Sequence, residues 1–126
     1  MRSIIAKWSI KPGCEEQAVA ALTELAESVK REEPFTLMYL IHTSNAEGSR
    51  PTPAPNEVIF VSAWPDQPAF EQHLRGPVFQ QWKTKYLDLF LTNSNGDLFV
   101  TSEFMDRRAG FIRIDGGGCS VGNLNL

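Results

Sequence analysis

Apolar residues recur along this chain with two different periods. Between Cys14 and Glu33 they fall at Ala18, Val19, Leu22, Leu25, Ala26 and Val29, spacings of three and four that predict an amphipathic helix. Glu16, Thr23, Glu24, Glu27, Lys30 and Arg31 fill the wet side. Glu15 and Glu16 stand at its N-terminal end and Lys30 and Arg31 at its C-terminal end, the polarity a helix dipole prefers, and Pro34 stops it. Elsewhere the pattern is that of strands. "SIIAKWSI" (3–10) is β-rich and closed by Pro12-Gly13, "FTLMYLIHT" (35–43) is a second strand, and "EVIFVSAW" (57–64) a third. The intervening "SNAEGSRPTPAPN" (44–56) holds three prolines and no periodicity, which predicts a long loop of the kind that often acts as a lid or binding element.

After Trp64 the chain turns at Pro65-Asp66. Asp66 suits a helix N-cap and Pro68 a first helical turn, so a short helix is expected to about Leu74. Gly76-Pro77 breaks it, and Val78, Phe79, Trp82, Tyr86, Leu87 and Phe90 begin a second helical stretch. "TNSNG" (92–96) reads as a turn and "DLFVTSEFM" (97–105) as a fourth strand. The order β-α-β-β-α-β is the ferredoxin-like arrangement, an α+β fold with a four-stranded antiparallel sheet covered on one face by helices. Residues 1–105 make this domain. Residues 106–126 form an extension with one extra strand expected at Phe111–Ile114, followed by a Gly-rich tail.

The strands carry one further message. A sheet with helices on one face and water on the other alternates apolar with polar. Here Phe35, Leu37, Tyr39 and Ile41 point one way and Met38 and Leu40 the other; Val58, Phe60 and Trp64 oppose Ile59, Val61 and Ala63. The helices cover only one apolar face. The simplest cover for the second is the sheet of another copy, so a homodimer with sheets face to face is expected.

Composition narrows the functional classes. Hydrophobic residues make up 42% and charged residues 21%, an ordinary globular mixture in 126 residues, with no apolar run near the ~20 residues of a membrane span. "MRSIIAKWSIKPG" lacks the long apolar core of a signal peptide, so a cytoplasmic protein is expected. Net charge is −3 and no basic stripe alternates with aromatics, which argues against nucleic acid; "MDRRAGFIR" reads as a solvated basic cluster. The two cysteines, Cys14 and Cys119, form no metal-type spacing. Cys14 stands near a helix start but has no base close in sequence, and an inert thiol is favoured.

"WSIKPGCEEQAVAALTEL" and "VSAWPDQPAFEQHLRGPVF" together resemble the antibiotic biosynthesis monooxygenase family of the dimeric α+β barrel superfamily. The first is a strand ending in Lys-Pro-Gly before an acidic-capped helix. The second is an aromatic-ended strand, a short helix with a Phe and a His-Leu pair, and a small-Pro-x-Phe step. The likeness covers roughly residues 3–105. It implies a pocket between sheet and helices, with His73, Phe70, Trp64, Trp82 and Tyr86 as its lining. Members include quinol or anthrone monooxygenases that need no metal or flavin, haem-degrading enzymes, and proteins that process small signalling molecules. Haem degradation is disfavoured here. Relatives with that activity carry a tryptophan where His73 stands and an iron-ligating histidine ten residues on, where this chain has Lys83. Their strand-one asparagine has no counterpart at Ala6, Lys7 or Trp8, and His42 substitutes for the ligand only by coincidence.

Each candidate has a structural and a chemical reading. His73 follows Phe70 by three and Ala69 by four, so it lies on the apolar side of its helix, either as a core-edge histidine or as a pocket base. Trp64 serves as core or as a wall for a flat phenol; Trp8 and Trp82 have the same two readings, with core favoured. Tyr39 and Tyr86 can donate to a phenolate or simply pack. Arg75 is read as solvated. The expectation is a cofactor-independent monooxygenase acting on a small aromatic quinol or polyketide-like substrate, with His73 catalytic, Trp64, Phe70, Trp82, Tyr86 and Tyr39 binding, and no metal. The alternative is a non-catalytic small-ligand-binding or stress-associated dimeric α+β barrel.

Overall fold

The computed structural model describes residues 1–113. Four strands, β1 (Arg2–Ser9), β2 (Met38–Thr43), β3 (Glu57–Trp64) and β4 (Thr101–Met105), form one sheet in the order β2-β3-β1-β4, with every neighbour antiparallel. Three α-helices lie between them: α1 (Glu15–Glu32) joins β1 to β2, and α2 (Gln67–Arg75) and α3 (Pro77–Tyr86) follow β3. A short 3-10 turn at Leu87–Leu89 leads out of α3. This is the ferredoxin-like α+β arrangement the periodicity predicts.

The expected signals act where they stand. Gly13 takes φ +87, a left-handed turn that costs glycine little, and so reverses the chain from β1 into α1. In α1 the buried stripe is Ala18, Ala21, Leu22, Leu25 and Val29. Val19, expected on that stripe, is instead 46% exposed, because one residue turns it about 100° from Ala18. Asp66 caps α2, its carboxylate accepting from Ala69 N at 2.9 Å. Gly76 then separates α2 from α3, and a Cβ there would lie 2.8 Å from the Gln72 carbonyl oxygen.

Three boundaries differ from expectation. β2 starts at Met38 rather than Phe35, because Glu33–Thr36 is held in the turn that closes α1, with Thr36 N donating to Glu33 O at 3.0 Å. β4 starts at Thr101 rather than Asp97. Residues 97–99 pair back on 91–93 instead, with Asn93 N to Asp97 O at 2.8 Å and Phe99 N to Leu91 O at 3.1 Å. Phe111–Arg113 form no strand; Ile114 and the Gly-rich tail lie outside the described residues.

The helix-facing side of the sheet carries the core. Ile4 and Trp8 of β1 and Val58, Phe60, Ser62 and Trp64 of β3 are all buried. Trp8 is the hub, its ring centroid 4.4 Å from Phe60, 5.5 Å from Phe90 and 5.6 Å from Trp82. On the opposite side Ile5, Val61 and Leu40 sit in register across β1, β3 and β2 and are only half-buried. Among the described residues no helix is long and apolar enough to cross a membrane.

Candidate functional site

A cavity of about 340 Å³ lies between the sheet and the α2–α3 pair. Its volume falls in the range of small-molecule sites. Alternation along the strands builds the floor: Ile4, Ala6 and Trp8 from β1, and Phe60, Ser62 and Trp64 from β3, with Tyr39 of β2 beside them. Helical spacing builds the roof. Phe70, His73 and Leu74 are one, three and four residues apart on α2, and Phe79 and Lys83 are four apart on α3. Asp97, Val100 and Leu74, all exposed, rim the opening.

His73 is 3% exposed and Glu33 4% exposed, and His73 Nδ1 stands 2.6 Å from Glu33 Oε1. The chain continues from there. Thr36 Oγ1 donates to the same Glu33 oxygen at 3.0 Å, and Trp64 Nε1 donates to Thr36 Oγ1 at 2.9 Å. Three aromatic rings enclose the imidazole, with centroids at 5.1 Å for Trp64, 5.3 Å for Tyr39 and 5.7 Å for Phe79. Burial pushes the Tyr39 phenol well above its ordinary value of 10.0, and the negative Glu33 adds to the shift. Tyr39 is therefore a neutral O–H donor at any pH near neutrality.

Of the residues singled out from the sequence, His73, Trp64, Phe70 and Tyr39 come together on this cavity. Trp82 and Tyr86 do not line it. They sit four apart at the edge of the same apolar face of α3 that is nearer α1: Trp82 Nε1 donates to Ala21 O at 2.7 Å, and the Tyr86 hydroxyl donates to the Glu24 carboxylate. Arg75 pairs with Glu71 on the surface, and His42 is exposed with Nδ1 3.2 Å from Ile59 O. Lys83, at the position the haem-degrading relatives give to an iron ligand, does line the cavity, its ammonium 5.8 Å from the Phe79 ring centroid. Among the described residues no group of three or more His, Cys, Asp or Glu side chains is placed to hold a metal ion.

Glu33 and Thr36 were not legible as site residues by motif. One signal did exist. The buried stripe of α1 runs 18, 22, 25, 29, and the next step of four lands on Glu33. A carboxylate on an apolar stripe needs a buried partner, and here the partner is His73.

The family model for antibiotic biosynthesis monooxygenase matches residues 1–85, more than half of the chain. The chain belongs to the antibiotic biosynthesis monooxygenase family. Solved structures agree on the fold. A protein named antibiotic biosynthesis monooxygenase is 23% identical, covers 86% of this chain and 100% of its own, and superposes with a TM-score of 0.67. Proteins assigned by name to the same family from Caulobacter crescentus and Deinococcus radiodurans superpose at 0.69 and 0.62, with 15% and 20% identity. They cover 86% and 92% of this chain and 90% and 100% of their own. No curated protein matches. The family match spans β1 through α3 and so contains the floor, the roof and the Glu33–His73 pair. Membership with this fold supports a monooxygenase-type framework; the cavity's own side chains must argue the chemistry.

Proposed function

We propose that this protein is a cofactor-independent monooxygenase acting on a small, flat, electron-rich aromatic of the quinol or polyketide type. The observation that carries the reading is a buried histidine, tied at Nδ1 to a carboxylate, lining an aromatic-walled cavity of about 340 Å³. Trp64, Phe70 and Phe79 present rings on which a planar substrate stacks. His73 accepts the phenolic proton as the O–H bond breaks, and the electron pair delocalises onto a ring carbon. Neutral Tyr39 donates a hydrogen bond to the resulting oxyanion. The carbanion reacts with dioxygen, the co-substrate, to form a C–O bond. One oxygen atom stays on the product, which is oxidised to the quinone level, and the other leaves as water. The substrate supplies all the electrons. Loss of water from the cavity on binding strengthens the Tyr39 hydrogen bond to that oxyanion.

The protein is further proposed to act as a homodimer in which the Ile5–Val61–Leu40 rows of two sheets cover one another. Light scattering on a sizing column at micromolar concentration reports a dimer if so, and a monomer alone defeats that part. The chemistry is tested by following oxygen uptake with a panel of hydroquinones and anthrones. Uptake that falls at least ~100-fold in His73→Ala supports the reading. No uptake by the native protein above that variant, across the panel, refutes it and leaves ligand binding without catalysis as the role of the cavity.

A further inference from the structure

We infer that Glu33 is the positioning residue of this site: it fixes the His73 imidazole in the tautomer whose Nε2 lone pair meets the cavity. The inference rests on the direction of the hydrogen-bond chain, which four side chains define. The Trp64 indole N–H is a donor and nothing else. Its bond to Thr36 Oγ1 at 2.9 Å therefore makes that oxygen the acceptor and turns the threonine proton outward. The threonine donates in turn to Glu33 Oε1 at 3.0 Å. That oxygen is thus an acceptor, and it is the same oxygen that stands 2.6 Å from His73 Nδ1. As a carboxylate Glu33 has no proton to give, so Nδ1 carries the one between them. The neutral ring then has its unshared pair on Nε2, the nitrogen left free in a side chain that lines the cavity.

Three elements meet in this arrangement. Glu33 is the C-cap residue of α1, Thr36 lies in the turn before β2, and Trp64 ends β3, its side chain among the largest fully buried in the chain. Rigid packing of Trp64 anchors one end of the chain of bonds, and the cavity stands at the other. When Nε2 takes a proton, both ring nitrogens bear hydrogen and the positive charge faces the Glu33 carboxylate directly. The carboxylate does not take up the proton; it steadies the charge and holds the ring plane. Glu33 does not line the cavity, so its effect on a ligand passes through His73.

The role in turnover depends on the monooxygenase reading given above, but the tautomer does not, and the two are separated by experiment. Long-range proton–nitrogen correlation spectra of uniformly labelled protein distinguish the protonated from the unprotonated ring nitrogen. The chain has only two histidines, so a His42→Ala background leaves His73 as the sole imidazole. The expected result is a neutral ring protonated at Nδ1, with the proton shifted wholly or partly to Nε2 in Glu33→Gln. A ring protonated at Nε2 in the native protein, or an unchanged ring in Glu33→Gln, overturns the inference. For any hydroquinone that is turned over, Glu33→Gln is expected to lower kcat by roughly 10²–10⁴-fold with KM little changed, and Glu33→Asp to restore part of the loss. A fall confined to KM also overturns it. Absence of turnover in the native protein counts against the monooxygenase reading and leaves the spectra to decide the tautomer.

Discussion

Removing Glu33 should be among the most destabilising single changes to a charged residue of this protein. In Glu33→Ala the His73 Nδ1–H loses its acceptor at 2.6 Å inside a site where the imidazole is 3% exposed. An orphaned buried donor costs about 1–3 kcal/mol. Thr36 Oγ1 loses its acceptor at 3.0 Å as well, but Thr36 is only half-buried and recovers part of the loss from water. The two together amount to about 3 kcal/mol, at the lower edge of the range for breaking a buried pair from one side. Unfolding entropy of about 2.1 cal/mol/K per residue gives a chain of this size roughly 0.26 kcal/mol/K, so the midpoint should fall by about 12 °C. Glu33→Gln still offers His73 Nδ1 a partner, its amide N–H pairing with the shifted tautomer, and should lose less than half as much. Thermal melts followed by circular dichroism at one protein concentration make the comparison, since a dimer's midpoint moves with concentration. Glu27→Ala, an exposed residue on the same helix, is the control, with a change within about 0.5 kcal/mol. If Glu33→Ala melts with Glu27→Ala, the carboxylate is not bearing the buried contacts described above.

Two more outcomes follow from particular residues. Because folding holds the Tyr39 proton more tightly than the unfolded chain does, the contribution of Tyr39 to stability is intact below its ordinary value of 10.0 and declines as pH rises above it. Native protein should therefore lose more thermal stability than Tyr39→Phe between about pH 9 and pH 11, and parallel losses would show that the phenol is not enclosed as described. Gly76→Ala should cost about 1–3 kcal/mol by driving a methyl group to 2.8 Å from the Gln72 carbonyl, measurable as a lower melting midpoint. Its φ of −73 is ordinary for any residue, so an unchanged midpoint would mean that the α2–α3 junction yields easily.

What could be read from the sequence was whatever local chemistry dictates. The Asp66 cap, the Gly76-Pro77 break, the period of α1 and the two apolar faces of β3 all depend on neighbours within a few residues, and the structure follows them. What could not be read was rotation and long-range pairing. Helix α3 gathers Phe79, Trp82, Lys83 and Tyr86 within one arc of about 100°, and the sequence does not say which edge of that arc faces the cavity. The structure turns Trp82 and Tyr86 toward α1, where Ala21 O and Glu24 accept their protons. The start of β4 at Thr101 differs from the sequence expectation for a similar reason. Asp97–Phe99 satisfy their backbone on the preceding turn before the chain reaches β1. Glu33 bonds to a histidine forty residues away, and only its place on the α1 stripe hinted that it was inside.

His73, from its place on the aromatic cavity, is proposed to remove the proton that lets a phenol react with dioxygen. Product analysis after turnover of a hydroquinone or anthrone under ¹⁸O₂ tests this most directly, with native protein and His73→Ala side by side. The expected outcome is a quinone-level product carrying one ¹⁸O atom, formed at least ~100-fold more slowly by the variant. Product formed equally fast by both proteins, or carrying oxygen from water rather than from dioxygen, would contradict it.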